Sequence, residues 1–112
     1  MIIAQGSLIP GSISIASGQT TSPSISTEGM SLCGIQMPAA FSGTSLTFLA
    51  ATQSGGPFQP IYNSSGLVTY AVAGGEYIAI NPQDFYGVLY LQIKSSASEG
   101  ATRALTYLLK GI

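Results

Sequence analysis

The sequence predicts an all-β domain, an antiparallel β-sandwich of seven to eight short strands with an extended N-terminal segment. Three observations carry that expectation. Apolar residues recur with period two, in runs separated by Gly, Pro, Asn and Ser. Helix signals are confined to one C-terminal stretch. The chain has 112 residues, the length of one domain, and 14 glycines to serve its turns. A chain of this size buries roughly two-thirds of its unfolded surface, enough for a core without staples.

The first dozen residues, MIIAQGSLIPGS, hold two aliphatic pairs, Ile2-Ile3 and Leu8-Ile9, split by Gly6 and stopped by Pro10 and Gly11. Residues 1–12 read either as an edge strand of the domain's own sheet or as an arm that adds to a neighbouring copy. The arm reading makes Ile2, Ile3, Leu8 and Ile9 candidate interface residues. Residues 13–112 form the single sandwich domain.

Within that domain, SISIA puts Ile13 and Ile15 on one face, opposite serines. SLCGIQM alternates imperfectly, and Gly34 marks a bulge candidate. SLTFLAAT sets Leu46, Phe48 and Ala50 together, and LVTYAV does the same with Val68, Tyr70 and Val72. EYIAI is a short strand, interrupted by NPQDFYG. GVLYLQIK turns Leu89, Leu91 and Ile93 inward. The last segment, SEGATRALTYLLKG, has helix formers and a closing glycine. Thr106, Tyr107 and leucines at period two favour a strand instead, with Leu105, Tyr107 and Leu109 on a common face.

Composition narrows the function classes. Only 6% of residues are charged and the net charge is −1. Lys94, Arg103 and Lys110 are the whole supply of cations, too few for phosphate contacts along a nucleic acid. A near-neutral surface rich in Ser, Thr and Gly neither repels copies of itself nor attracts polyanions, and it suits a protein that works by assembling. No apolar run has the length of a membrane-spanning helix. The start lacks a basic region and an unbroken apolar run, so no signal peptide is expected. Cys33 is the only cysteine and reads as a small buried hydrophobe.

Catalytic chemistry is not expected. With no histidine there is no Ser-His-Asp triad, no Cys-His pair and no imidazole metal ligand. The four acids, Glu28, Glu76, Asp84 and Glu99, fall in separate turns and read as solvated turn residues. No catalytic, metal-binding or cofactor-binding residue is therefore assigned, and no cofactor is implied. Among the aromatics, most tyrosines fall at strand positions, but Phe85 and Tyr86 lie in an interrupting loop after Pro82. An exposed aromatic there would serve as a contact anchor, so both join the candidate interface residues.

The runs GIQMPAAFSGTSLTFLAATQSGGPFQPIYNSSG, GGEYIAINPQDFYGVLYLQIKSS and ATRALTYLLK resemble a family of small phage structural proteins encoded among head genes. The resemblance rests on Gly34, Met37, Pro38, Leu46, Thr47, Phe48, Gly55, Gly56, Tyr62, Asn63, Ser64 and Gly66, then on Tyr77, Ile78, Pro82, Phe85, Gly87, Tyr90, Leu91, Arg103 and Thr106. It spans residues 34–110 and departs from the family pattern at ATQSGG, which lacks an acidic residue before the glycines. That family is similar to capsid decoration, or cement, proteins. The resemblance implies a jelly-roll or discoidin-like sandwich, made in the host cytoplasm and carried on the virion's capsid surface. It implies binding to the major capsid protein and to itself, as a homo-oligomer such as a trimer, with no nucleic-acid or membrane partner. Two alternatives stay open: a tail, neck or fibre structural component, and a virion-surface carbohydrate-binding adhesin.

Overall fold

The chain is wired as one long antiparallel hairpin that has been rolled up. In the computed structural model, which describes residues 7–111, Ile2 and Ile3 lie outside the described residues. The strands are β1 (Leu8–Ile15), β2 (Ile25–Ser26), β3 (Ser31–Gln36), β4 (Ser45–Ala51), β5 (Gln59–Pro60) and β6 (Tyr62–Asn63). They continue with β7 (Gly66–Leu67), β8 (Thr69–Ala71), β9 (Tyr77–Ala79), β10 (Tyr90–Ser95) and β11 (Arg103–Lys110), and a short 3-10 helix, η1, spans Pro82–Phe85. The nested pairs β1–β11, β2–β10, β3–β9 and β4–β8 are the rungs of the hairpin. Rolling it brings β11 beside β3 and β10 beside β4. The result is two antiparallel sheets, sheet A in the order β1-β11-β3-β9 and sheet B in the order β2-β10-β4-β5, with β8 also on β4. This is the jelly-roll form of the β-sandwich.

Period-two apolar positions face each other across the two sheets. Ile15, Leu32, Ile35, Leu46, Phe48, Leu91, Ile93 and Leu105 are fully buried, and Ile9, Ile13, Tyr70 and Tyr107 pack against them. The C-terminal segment is a strand, as its period predicts. One expectation fails locally: Leu89 is exposed and Val88 is buried. Gly87 takes a positive φ of 82° and the Val88 N–H closes a turn onto the Phe85 carbonyl, so alternation begins only at Tyr90. Cys33 is half-buried, not buried, because it is the extra residue of a bulge: Leu108 faces Gly34 while Leu109 faces Leu32. Burial raises its thiol pKa, against the opposing charge of Lys110. A Cβ at Gly34 would overlap the Tyr77 ring, which lies across the bulge.

β1 is continuous from Leu8 to Ile15, with Ser12 and Ile13 paired to Thr106 and Leu105, so the segment around Leu8 and Ile9 belongs to the domain's own sheet. As the outermost strand of sheet A, its free edge could recruit another chain. The Gly111 N–H donates to the Ser7 carbonyl (2.8 Å), which fixes the phase of the ladder. Leu8, Pro10, Ser12 and Ser14 therefore turn their backbone groups to the open edge, and Pro10 has no N–H to offer there. Sheet B repeats the device. The Ile61 N–H donates to the Phe48 carbonyl (3.0 Å), which leaves Pro60, on the outermost strand β5, facing the open edge.

Loops β1–β2, β3–β4, β8–β9 and β10–β11 converge at one end of the roll. Glu99, expected as a solvated turn residue, ties three of them together. Its side chain is fully covered. Its Oε1 accepts from the Ser42 N–H (2.8 Å) and Arg103 Nε (3.1 Å). Its Oε2 accepts from the Ser42 hydroxyl (2.8 Å) and the Gly43 N–H (3.0 Å). Its carbonyl accepts from the Gly18 N–H (3.0 Å). Burial pushes the carboxyl pKa up, but the donors from Ser42, Arg103 and Gly43 outweigh it and hold the pKa below its ordinary value.

Two predictions follow from these features. Glu99→Gln swaps an acceptor for an N–H₂ facing buried donors, and should lower unfolding stability by about 2–4 kcal/mol in urea titrations at neutral pH. A depressed carboxyl pKa contributes stability above the unfolded value and loses it as pH falls through the folded one, so the gap between wild type and variant should narrow in acid. Replacing Pro10 and Pro60 together by Thr restores an N–H to each open edge. Sedimentation velocity should then show increased self-association, with the fold intact by circular dichroism.

Candidate interaction surfaces

The opposite end of the roll carries the β2–β3, β4–β8 and β9–β10 connections, and here η1 is the organising piece. Asn81 caps it, its Oδ1 accepting from the Gln83 N–H (3.1 Å), while its own N–H donates to the Tyr70 hydroxyl (2.9 Å). The Ser31 hydroxyl donates to the Pro82 carbonyl (2.6 Å). Phe85 drives into the core, edge-to-face on Phe48 with ring centroids 5.0 Å apart. The chain then leaves η1 in an extended conformation, so Tyr86 points the other way and is 52% exposed.

The β6–β7 hairpin sits against η1. Asn63 serves both: its Oδ1 accepts from the Ser65 N–H (2.8 Å) within the turn, and its Nδ2 donates to Asp84 Oδ1 (3.2 Å) on η1. Directly opposed strand residues share a face, so Tyr62 and Leu67 lie side by side on the hairpin. Between hairpin and η1, along the end of β4 and the edge strand β5, runs a groove of about 420 Å³. Tyr62 and Tyr86 line it, together with Asp84, Gln59, Pro57 and Pro60.

A second surface is the outer face of sheet A. The cross-strand register places Leu8 beside Lys110, Pro10 beside Leu108, Ser12 beside Thr106 and Ser14 beside Ala104. The same face continues through Gln36 and Gly34 to Tyr77 and Ala79. Leu8 and Tyr77 are 57% and 58% exposed. Lys110 is the one charged residue on this four-stranded face among the described residues.

No protein-family model matches the chain, and no curated protein matches it in sequence. Solved structures resemble it in shape. The SPBc2 prophage-derived protein YomS superposes with a TM-score of 0.51 at 11% identity, over 98% of this chain and 99% of that one. A protein of the disulfide-linked pili that form Bacillus endospore appendages gives a TM-score of 0.43 at 13% identity, over 97% and 93% of the two chains. At 11% identity the likeness to YomS is one of architecture.

The residues singled out from sequence therefore separate. Leu8 is exposed on sheet A, Ile9 is half-buried against the core, and Tyr86 lines the groove. Phe85 is corrected: at 1% exposure it is a core residue, and its contact is with Phe48. Sequence reasoning passed over Tyr62 as one strand aromatic among several and Asp84 as a solvated turn acid. Their neighbours in Pro60, Asn63 and Pro82 mark turns, but only the fold brings the two turns together. Among the described residues no three His, Cys, Asp or Glu side chains gather as a metal site, and no helix is long and apolar enough to cross a membrane. Among the described residues the groove holds one carboxylate, Asp84, so what it offers chemically is recognition: two aromatic rings, an amide and a carboxylate.

The two neighbours on η1 should behave oppositely in thermal or urea unfolding. Phe85→Ala empties a core site and should cost about 3–5 kcal/mol. Tyr86→Ala should stay within about 0.5 kcal/mol of wild type, as expected of an exposed position.

Proposed function

We propose that this chain is a non-catalytic virion structural protein that decorates the capsid exterior by binding the major capsid protein. The observation that carries the reading is the outer face of sheet A, a nearly uncharged surface bearing exposed Leu8 and Tyr77. Depletion of charge at the centre of a patch is the compositional mark of a protein interface. The fold shared with a prophage-derived protein supports the phage context, as does the resemblance of residues 34–110 to head-gene products. Each copy removes apolar surface from water at roughly 25 cal/mol per Å² before association costs are subtracted.

Size argues for oligomerisation. Four strands spaced about 4.8 Å apart, with a rise of about 3.4 Å per residue, give a face of roughly 400 Å². A stable interface covers about 800 Å² on each partner. One copy would hold a shell weakly, whereas a homo-oligomer presenting several such faces binds through effective concentration. Pro10 and Pro60 each remove an outward N–H, from the edge strands β1 and β5, which disfavours strand addition there and favours association through faces. Such a protein is made in the host cytoplasm and works on the virion, with no nucleic-acid or membrane partner and no cofactor.

The reading is tested by native mass spectrometry of the purified chain, then by mixing it with capsid shells that lack it. A discrete oligomer that saturates shells at a fixed copy number is expected. Rings that ignore shells would point to a tail or neck component, and a monomer indifferent to shells would sink the proposal. Ser12→Lys with Thr106→Glu sharpens the test, because the two are cross-strand partners and their opposite charges support each other in the free protein. Stability should hold within about 0.5 kcal/mol. Binding to shells should weaken at least about tenfold, since contact must now strip water from two charges.

A further inference from the structure

We infer that the groove between the β6–β7 hairpin and η1 is a carbohydrate site that takes a neutral sugar ring. This inference is independent of capsid decoration, which uses the outer face of sheet A. Tyr62 and Tyr86, 67% and 52% exposed, are aromatic rings held on the groove without being absorbed into the core. A pyranose has a face of C–H bonds that packs on an aromatic ring, and a rim of hydroxyls that must be hydrogen-bonded. The rim partners are present. Asp84 is half-buried, and Asn63 occupies only its Oδ1, which leaves Oδ2 without a protein donor among the described residues. A carboxylate oriented by a neighbouring amide is a strong acceptor for a sugar hydroxyl. Gln59 and Thr52 add an amide and a hydroxyl to the lining.

The lining also excludes other ligands. None of Lys94, Arg103 and Lys110 lines the groove, while Asp84 does, so phosphates, nucleotides and acidic sugars meet an unfavourable charge. A peptide docking as an added strand needs backbone donors from the sheet edge. Here the outermost strand turns Pro60 to that edge, with Pro57 beside it in the wall, so those positions offer no N–H. Proline and tyrosine rings present the kind of flat apolar surface that suits a sugar face. The volume of about 420 Å³ lies in the range of small-molecule sites and accommodates one or two sugar rings. The site is also preorganised. Phe85 anchors η1 from inside, Ser31 and Tyr70 bond its start, and Asn63 fastens the hairpin to it.

The test is a titration of the ¹⁵N-labelled full chain followed by amide chemical shifts. The probes are glucose, galactose, N-acetylglucosamine and their short oligomers, with glucuronic acid as the acidic counterpart. Saturable shifts centred on Gln59, Tyr62, Asp84 and Gly87 are expected for at least one neutral probe, and weaker ones for glucuronic acid. Tyr62→Ala and Tyr86→Ala should each weaken that binding by about tenfold with an unchanged melting temperature, as loss of an aromatic anchor does. Asp84→Asn should narrow the gap between neutral and acidic probes. The Ser12→Lys, Thr106→Glu variant should bind sugar as wild type does, whatever it does to shell binding. Absence of groove shifts with every probe would overturn the inference, as would binding that ignores both tyrosine variants. Protection of Tyr62 and Tyr86 by capsid shells, with no sugar response, would also overturn it and make the groove a protein contact.

Discussion

The buried carboxylate of Glu99 is the constraint around which one end of this roll is organised. A jelly roll must bring together loops that are far apart in the chain, and here Met37, Phe41 and Val72 reach into the core while the β1–β2 and β10–β11 loops are made mostly of Ser, Gly, Thr and Ala. Such loops need polar cross-links. Glu99 provides one by accepting from the backbone of Ser42 and Gly43, the Ser42 hydroxyl and Arg103, while its own carbonyl takes the Gly18 N–H. Burying an ion is costly unless it is paired and fully hydrogen-bonded, and here both conditions are met. The lowered carboxyl pKa is the electrostatic sign of the same arrangement.

With that end closed, the opposite end is free to carry recognition. Phe85 and Tyr86 divide the labour between adjacent residues, one filling the core against Phe48 and the other facing the groove. Because η1 is secured from inside, Tyr86 and Asp84 are displayed on a scaffold that loses little freedom on binding. The two polar hubs work differently. Glu99 is enclosed and saturated with donors, whereas Asp84 keeps an unengaged oxygen at the surface. That contrast separates a structural carboxylate from one available to a ligand.

A chain with only 6% charged residues would ordinarily invite aggregation through sheet edges, where charge is the common defence. This chain uses geometry instead. Pro10 and Pro60 each remove one outward N–H, from the edge strands β1 and β5. The other edge strands among the described residues are short: β2 spans two residues, and β8 and β9 three each. Strand addition is thereby disfavoured at these edges.

Period-two patterning made the sandwich legible in the sequence alone. Leu46 with Phe48, Val68 with Val72, and Leu105 with Leu109 fall inward where alternation puts them, because a strand's side-chain direction is a local property of its backbone. Gly34 signalled its bulge for the same local reason. The wiring of the roll, the burial of Glu99 and the meeting of Tyr62 with Tyr86 were not legible. Each depends on contacts across tens of residues, such as Glu99 with Ser42 and Asn63 with Asp84, which leave no periodic trace. The sequence by itself determined an all-β, near-neutral domain with little catalytic chemistry in its composition. Only the tertiary structure decided which turn acid is buried and which is exposed, because burial depends on what the distant chain lays over a residue.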